Sequence, residues 1–174
     1  MSKKTIIILS LLLMLSTLPV LPASAKKGQY YIARGTIDSY VDAWSAEVKQ
    51  GWWSVRVIEG NIEYSGFYQE RNLAEYPENS PVGSIDFFWQ TFTVEGYTLD
   101  GDELEFWGTL HIKKLWCKLD GTREILTWDT YPVKITIDSD SYFLDSPPEG
   151  PGPDPIYNED WDRTGTTRSI RYSE

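Results

Sequence analysis

The sequence predicts an all-β fold: a single antiparallel β-barrel or a two-sheet β-sandwich of about eight strands, mostly up-and-down. Three observations carry this. Apolar residues recur at every second position through most of the chain, the period that separates the two faces of a half-buried strand. Short turns containing Gly, Asp or Asn fall between the periodic runs. No segment beyond the first 25 residues holds a convincing helical period, and Tyr40–Gln50 offers at most a helical turn.

In chain order, Trp53, Val55 and Val57 oppose Trp52, Ser54 and Arg56, and Glu59-Gly60-Asn61 turns the chain into the next run. There Ile62, Tyr64, Gly66 and Tyr68 oppose Glu63, Ser65, Phe67 and Gln69. Arg71–Gly83 is a long loop, the best candidate for a rim or lid. From Ile85 to Val94 both faces are apolar or aromatic, as suits a central or bulged strand. Asp100-Gly101 leads into Leu104, Phe106, Gly108, Leu110 and Ile112, whose opposite face carries Glu105, Trp107, Thr109 and His111. Asp120-Gly121 then leads into Ile125, and Tyr131, Val133, Ile135 and Ile137 share one face. Pro132 lacks an N–H, which puts it at an edge, a bulge or a corner. Gly66 and Gly108 on the core face either mark bends or thin the wall beside a cavity.

Met1–Ala25 reads as a secretory signal: Lys3 and Lys4, the apolar run Ile6–Leu15, Pro19 and Pro22, then Ala23-Ser24-Ala25 before a cut at Lys26. The run is shorter than the roughly 20 residues that span a bilayer. The mature protein is therefore expected outside the cytoplasm and off the membrane. Residues 26–146 form the β domain, and 147–155 a Pro/Gly-rich connector of polyproline character. Residues 156–174 form a C-terminal segment in which Thr167–Tyr172 supplies a final strand, with Ile156, Tyr157 and Trp161 apolar enough to dock.

The formal charge of −10 becomes −12 once Lys3 and Lys4 leave with the leader, a balance that repels phosphate backbones and excludes nucleic acid as a partner. Cys117 is the only cysteine, so no internal disulfide forms, and His111 is the only histidine. That pair cannot build the usual nitrogen–sulfur zinc site. His111 lies six residues from Cys117 on one strand, too far to activate it, and no serine sits in a nucleophile elbow. Asp100, Asp102, Glu103 and Glu105, and separately Asp138, Asp140 and Asp145, cluster in turns, where acids are mostly solvated. No catalytic residue, metal or cofactor is implied.

Eight tryptophans, eleven tyrosines and six phenylalanines remain to be placed. Alternation puts Trp52, Trp107 and Trp128 on nominally polar faces, Trp128 because it opposes Ile125, Tyr131, Val133 and Ile135. The three would form a platform for sugar rings or a patch for a surface protein.

Phe92-Thr93-Val94-x-Gly96, Leu104-x-Phe106-x-Gly108 and Val133-x-Ile135-x-Ile137, with the earlier Gly35-Thr36-Ile37 and Ile62-x-Tyr64-x-Gly66, resemble the post-COAP domain. That is a small all-β module of secreted and surface proteins. The resemblance implies an extracytoplasmic binding or structural module and carries over no catalytic residues. The function expected is a non-catalytic module that binds carbohydrate or a cell-surface partner. The alternatives are a lipocalin-like carrier of a small apolar ligand and, third, a carboxylate-based glycoside hydrolase.

Overall fold

Eight strands follow one another as a meander and close on themselves: β1 (Tyr30–Tyr40), β2 (Ala46–Ile58), β3 (Asn61–Asn72), β4 (Ile85–Asp100), β5 (Glu103–Cys117), β6 (Arg123–Ile137), β7 (Ser141–Asp145) and β8 (Arg163–Tyr172). Each pairs antiparallel with its sequence neighbours, and β8 pairs with β1. The architecture is a single up-and-down barrel, not a sandwich. This computed structural model describes residues 28–40, 46–73, 81–146 and 162–173. The signal segment, the connector at 147–155, the docking residues Ile156, Tyr157 and Trp161, and the middle of the Arg71–Gly83 loop lie outside the described residues. Ala46–Gln50 is strand, not helix.

Tight turns set the register. Glu59 and Gly60 both have positive φ, 48° and 85°, the pattern of a two-residue hairpin turn whose twist matches the strands. Ile58 therefore faces Asn61, and Trp52 faces Phe67. Alternation then separates the faces as expected. Trp53, Val55, Val57, Tyr64, Tyr68, Leu104, Phe106, Leu110, Ile112, Val133, Ile135 and Ile137 are buried in the barrel. Removing each large side chain from water contributes roughly 1.5–3 kcal/mol.

Two bulges reset this alternation. On β4, Val94 faces Gly108 and Gly96 faces Trp107, so Glu95 is an extra residue. On β6, Thr130 faces Leu110 and Val133 faces Gly108, so Tyr131 and Pro132 together oppose Thr109. The Tyr131–Pro132 peptide is cis. Inward-facing residues are even-numbered before the β6 bulge and odd-numbered after it. The placing of Tyr131 and Ile125 on the core face is thereby corrected: they are 56% and 57% exposed, and Thr130 is buried instead. Pro132 also sits at an edge, because β7 pairs with β6 only along Lys134–Ile137.

Buried side chains from all eight strands project into the interior. A Cβ on Gly66 would lie 2.6 Å from Gln90 Oε1 and 2.8 Å from the Tyr64 hydroxyl, so that glycine makes room for neighbours and leaves no hole. The Tyr64 hydroxyl donates to Gln90 Oε1 at 3.2 Å and shares a 2.7 Å hydrogen bond with Tyr142. Burial pushes both phenols well above their ordinary pKa. Gly108 lies where the two bulges meet, which fits a bend better than a thinned wall.

One end of the interior is charged. Tyr68 stacks on Phe88 with ring centroids 4.5 Å apart. Arg163 stands 5.5 Å from the Tyr68 ring and Lys114 5.1 Å from the Phe88 ring. Lys114 Nζ lies 3.0 Å from Asp86 Oδ2, and Asp86 Oδ1 accepts the Cys117 backbone N–H at 2.8 Å. Asp86 is fully buried, so deleting its carboxylate would strand a buried ammonium and an amide. Asp86→Ala is expected to cost about 3–5 kcal/mol in urea unfolding. A loss below about 1 kcal/mol would contradict the pairing.

A second test lies in the β6–β7 turn. The Ser141 hydroxyl, then the Asp140 and Ser141 N–H groups, donate to the Asp138 carboxylate and hold its pKa down at about 2. A depressed carboxylate stabilises the fold above its unfolded pKa, about 4, and that contribution is lost as pH falls toward 2. Asp138→Ala should therefore be less stable than wild type at neutral pH. The two melting curves should converge between about pH 4 and 2.

Candidate functional site

The outer wall of β2–β6 carries two ordered rows of side chains. Register aligns Trp52, Phe67, Trp89, Lys113 and Thr127 in one row, and Ser54, Ser65, Thr91, His111 and Asp129 in the next. The first row is aromatic from β2 to β4 and ends in Lys113 and Thr127. Trp52 lies 6.2 Å from Phe67, Phe67 5.7 Å from Trp89, and Trp89 6.4 Å from Phe87, centroid to centroid. Trp52 and Trp89 are 43% and 40% exposed, which is high for indoles in contact with other rings. Lys113 Nζ stands 5.9 Å from the Trp89 ring centroid, and the Arg123 guanidinium 5.4 Å from that of Phe87.

The second row is polar and internally bonded. Ser54 and Ser65 share a hydrogen bond of 2.9 Å. His111 is held on both sides: Nδ1 is 2.7 Å from Asp129 Oδ1, and Nε2 is 2.7 Å from Thr93 Oγ1. Because a carboxylate only accepts, Nδ1 carries the proton toward Asp129, and in the neutral ring Nε2 accepts from Thr93. This is the group order of a nucleophile–base–acid relay. Yet the three residues sit within the β4–β5–β6 ladders, whose N–H groups lie in the sheet plane instead of pointing at the Thr93 oxygen. An acyl-transfer site needs donors aimed at that oxygen's reaction partner. The arrangement orients an imidazole and supplies no oxyanion hole.

Where the rows meet, the outward side chains of Trp89, Thr91, His111, Lys113, Thr127 and Asp129 border an open groove of about 410 Å³. Its elements are one indole face, two threonine hydroxyls, an imidazole, an ammonium and a carboxylate. Among the described residues, no three His, Cys, Asp or Glu side chains converge to hold a metal. The acid-rich turns holding Asp100, Asp102 and Glu103 and Asp138 and Asp140 lie at the far end of the barrel from the charged interior. Asp138 is engaged by its own turn, and Asp145 stands apart at the end of β7, opposite Lys134.

The three tryptophans singled out by alternation do not come together. Trp52 is on the aromatic row. Trp107 is also on the outer wall, half-buried against the backbone of Gly96, but lies six residues along β5 from Lys113, about 20 Å. Trp128 faces inward: it pairs with buried Ile112 and packs against the core, because the bulge at Tyr131–Pro132 reverses the alternation on which its outward placement rested. It also lines the groove, between Thr127 and Asp129. Phe87 and Trp89 escape a reading by alternation alone, since β4 is apolar on both faces, whereas alternation already puts Phe67 on the outward face of its run. The β2–β3 turn does carry a usable signal: a two-residue turn at Glu59-Gly60 sets Trp52 opposite Phe67.

Comparison with known proteins finds no matching family model, no matching curated protein and no matching solved structure.

The two placements are separable by stability. Trp128→Ala should cost about 2 kcal/mol or more in urea unfolding, through the cavity it leaves against the core. Trp52→Ala should cost less than about 1 kcal/mol. Equal losses would mean that one of the two faces is assigned wrongly.

Proposed function

We propose that this protein is an exported, non-catalytic β-barrel module that binds carbohydrate chains across the outer wall of β2–β6. The observation that carries the reading is the position of Trp89, exposed at the junction of the aromatic row and the polar groove. A sugar ring has an apolar C–H face and a rim of hydroxyls. An indole face beside threonine, imidazole and carboxylate groups meets both at once. A protein partner would use the aromatic row but has less need of a bonded row of hydroxyls next to it. The leader at Met1–Ala25 supports export, and the likeness of the strand-spaced residues to the post-COAP domain supports an extracytoplasmic module. The aromatic filling of the interior by Trp53, Tyr64, Tyr68, Phe106 and Tyr142 weighs against an apolar carrier. A glycosidase needs two carboxylates across a cleft, and the groove presents Asp129 alone.

Titrating the folded mature chain with a panel of soluble polysaccharides, read by tryptophan fluorescence, tests this. Trp89→Ala should weaken binding about 10- to 100-fold. Trp107→Ala, on the same wall but off the row, should leave it unchanged. Binding to no glycan, or equal binding by wild type and Trp89→Ala, would end the proposal.

A further inference from the structure

We infer that the wall is built for an anionic glycan, one bearing carboxylate or sulfate groups; this rests on the carbohydrate reading above. The argument comes from which cations are neutralised. On the β5–β6 hairpin, Lys114 pairs with Asp86, Lys118 with Glu124 and Lys134 with Glu105. Among the described residues, Lys113 and Arg123 enter no ion pair. Lys113 stands over Trp89 and Arg123 over Phe87, with Arg123 Nη1 reaching only the Ile85 carbonyl at 3.5 Å. In a chain of formal charge −10, carboxylates are plentiful, and yet these two cations stand beside exposed Trp89 and its half-buried neighbour Phe87.

The neighbouring acids do not cancel them. Asp129 belongs to the next row, about 7 Å along the strand, and is held by His111. Glu124 is engaged by Lys118. A sugar ring stacked on Trp89 or Phe87 would therefore carry its equatorial substituents past an ammonium or a guanidinium. Both donate charge-assisted hydrogen bonds to carboxylate or sulfate, and the guanidinium fork suits either. A neutral sugar would use the rings and leave the two cations to water.

Matched pairs of polymers separate the inference from the reading beneath it. Polygalacturonate is compared with its methyl ester, and dextran sulfate with dextran, using fluorescence titration of the mature chain. The charged member of at least one pair should bind about tenfold more tightly, and about 0.5 M salt should remove the advantage. The pair that responds tells carboxylate from sulfate. Lys113→Gln with Arg123→Gln should abolish the advantage, with a circular dichroism spectrum and urea midpoint like those of wild type showing that the variant folds. A folded variant that keeps the advantage would overturn the inference. Equal binding of charged and neutral members would overturn the anionic preference and leave the carbohydrate reading standing. Binding of neither member of either pair would overturn both.

Discussion

When β8 pairs with β1 from Tyr31 to Tyr40, the sheet loses both of its outer edges and acquires an inside. From that point each strand has one face toward a crowded interior and one toward water. A slip of one residue on β2 would expose Trp53, Val55 and Val57 and bury Trp52, Ser54 and Arg56, so register is strongly specified. Eight strands leave an interior about wide enough for side chains to fill. Here large aromatics fill it: Trp53 stacks on Tyr142 at 5.1 Å, and Phe92 meets Phe106 edge-on at 5.1 Å.

The charged end of the interior follows from the same closure. Side chains that alternate inward on the last residues of β3, the first of β4 and the last of β5 must enter the barrel whether or not they are apolar. Glu70, Asn72, Asp86 and Lys114 occupy those positions, and Arg163 enters from β8. Burying such groups is costly unless each finds a partner. Asp86 meets this by accepting from Lys114 and the Cys117 amide at once, while the Tyr68–Phe88 stack offers its faces to the two cations.

Much of the fold was legible because alternation and turn chemistry are local. Leu104 to Ile112 and Trp53 to Val57 are core as their spacing requires, and Gly60 and Gly101 turn the chain where expected. What failed was the extension of one phase across an irregularity. From Val133 back to Tyr131 the alternation continues, but Asp129 then falls on the apolar parity and Trp128 on the polar one. The pairing gives the reason: Tyr131 and Pro132 share one partner position. Pro132 was the visible warning, since a residue without an N–H cannot serve an interior ladder. The candidate site was less legible than the core. It depends on which residues lie side by side on five strands, and the β3–β4 register passes through a long loop whose length says nothing about pairing. Trp52 opposite Phe67 could be counted out from the turn; Phe67 opposite Trp89 could not.

The two bulges also explain how one set of strands carries both a core and the outer wall proposed above to bind. On β4, even-numbered residues face inward as far as Val94, and Tyr97 and Leu99 do so beyond it; on β6 the change comes between Thr130 and Val133. The bulged residues meet across β5, where the Tyr131 hydroxyl donates to Glu95 Oε2 at 3.3 Å. Without the extra residue on each strand, one parity would have to serve along its whole length. Either Trp89, Thr91, Thr127 and Asp129 would turn inward, or Tyr97, Val133, Ile135 and Ile137 would turn out to water. Inserting a residue at the middle of both strands lets the half nearer the turns follow the demands of the core. The other half can then present its indole, hydroxyls and carboxylate outward. The groove lies wholly on that second half, and His111 stands near the boundary on unbulged β5, tied to Asp129 and Thr93 from either side.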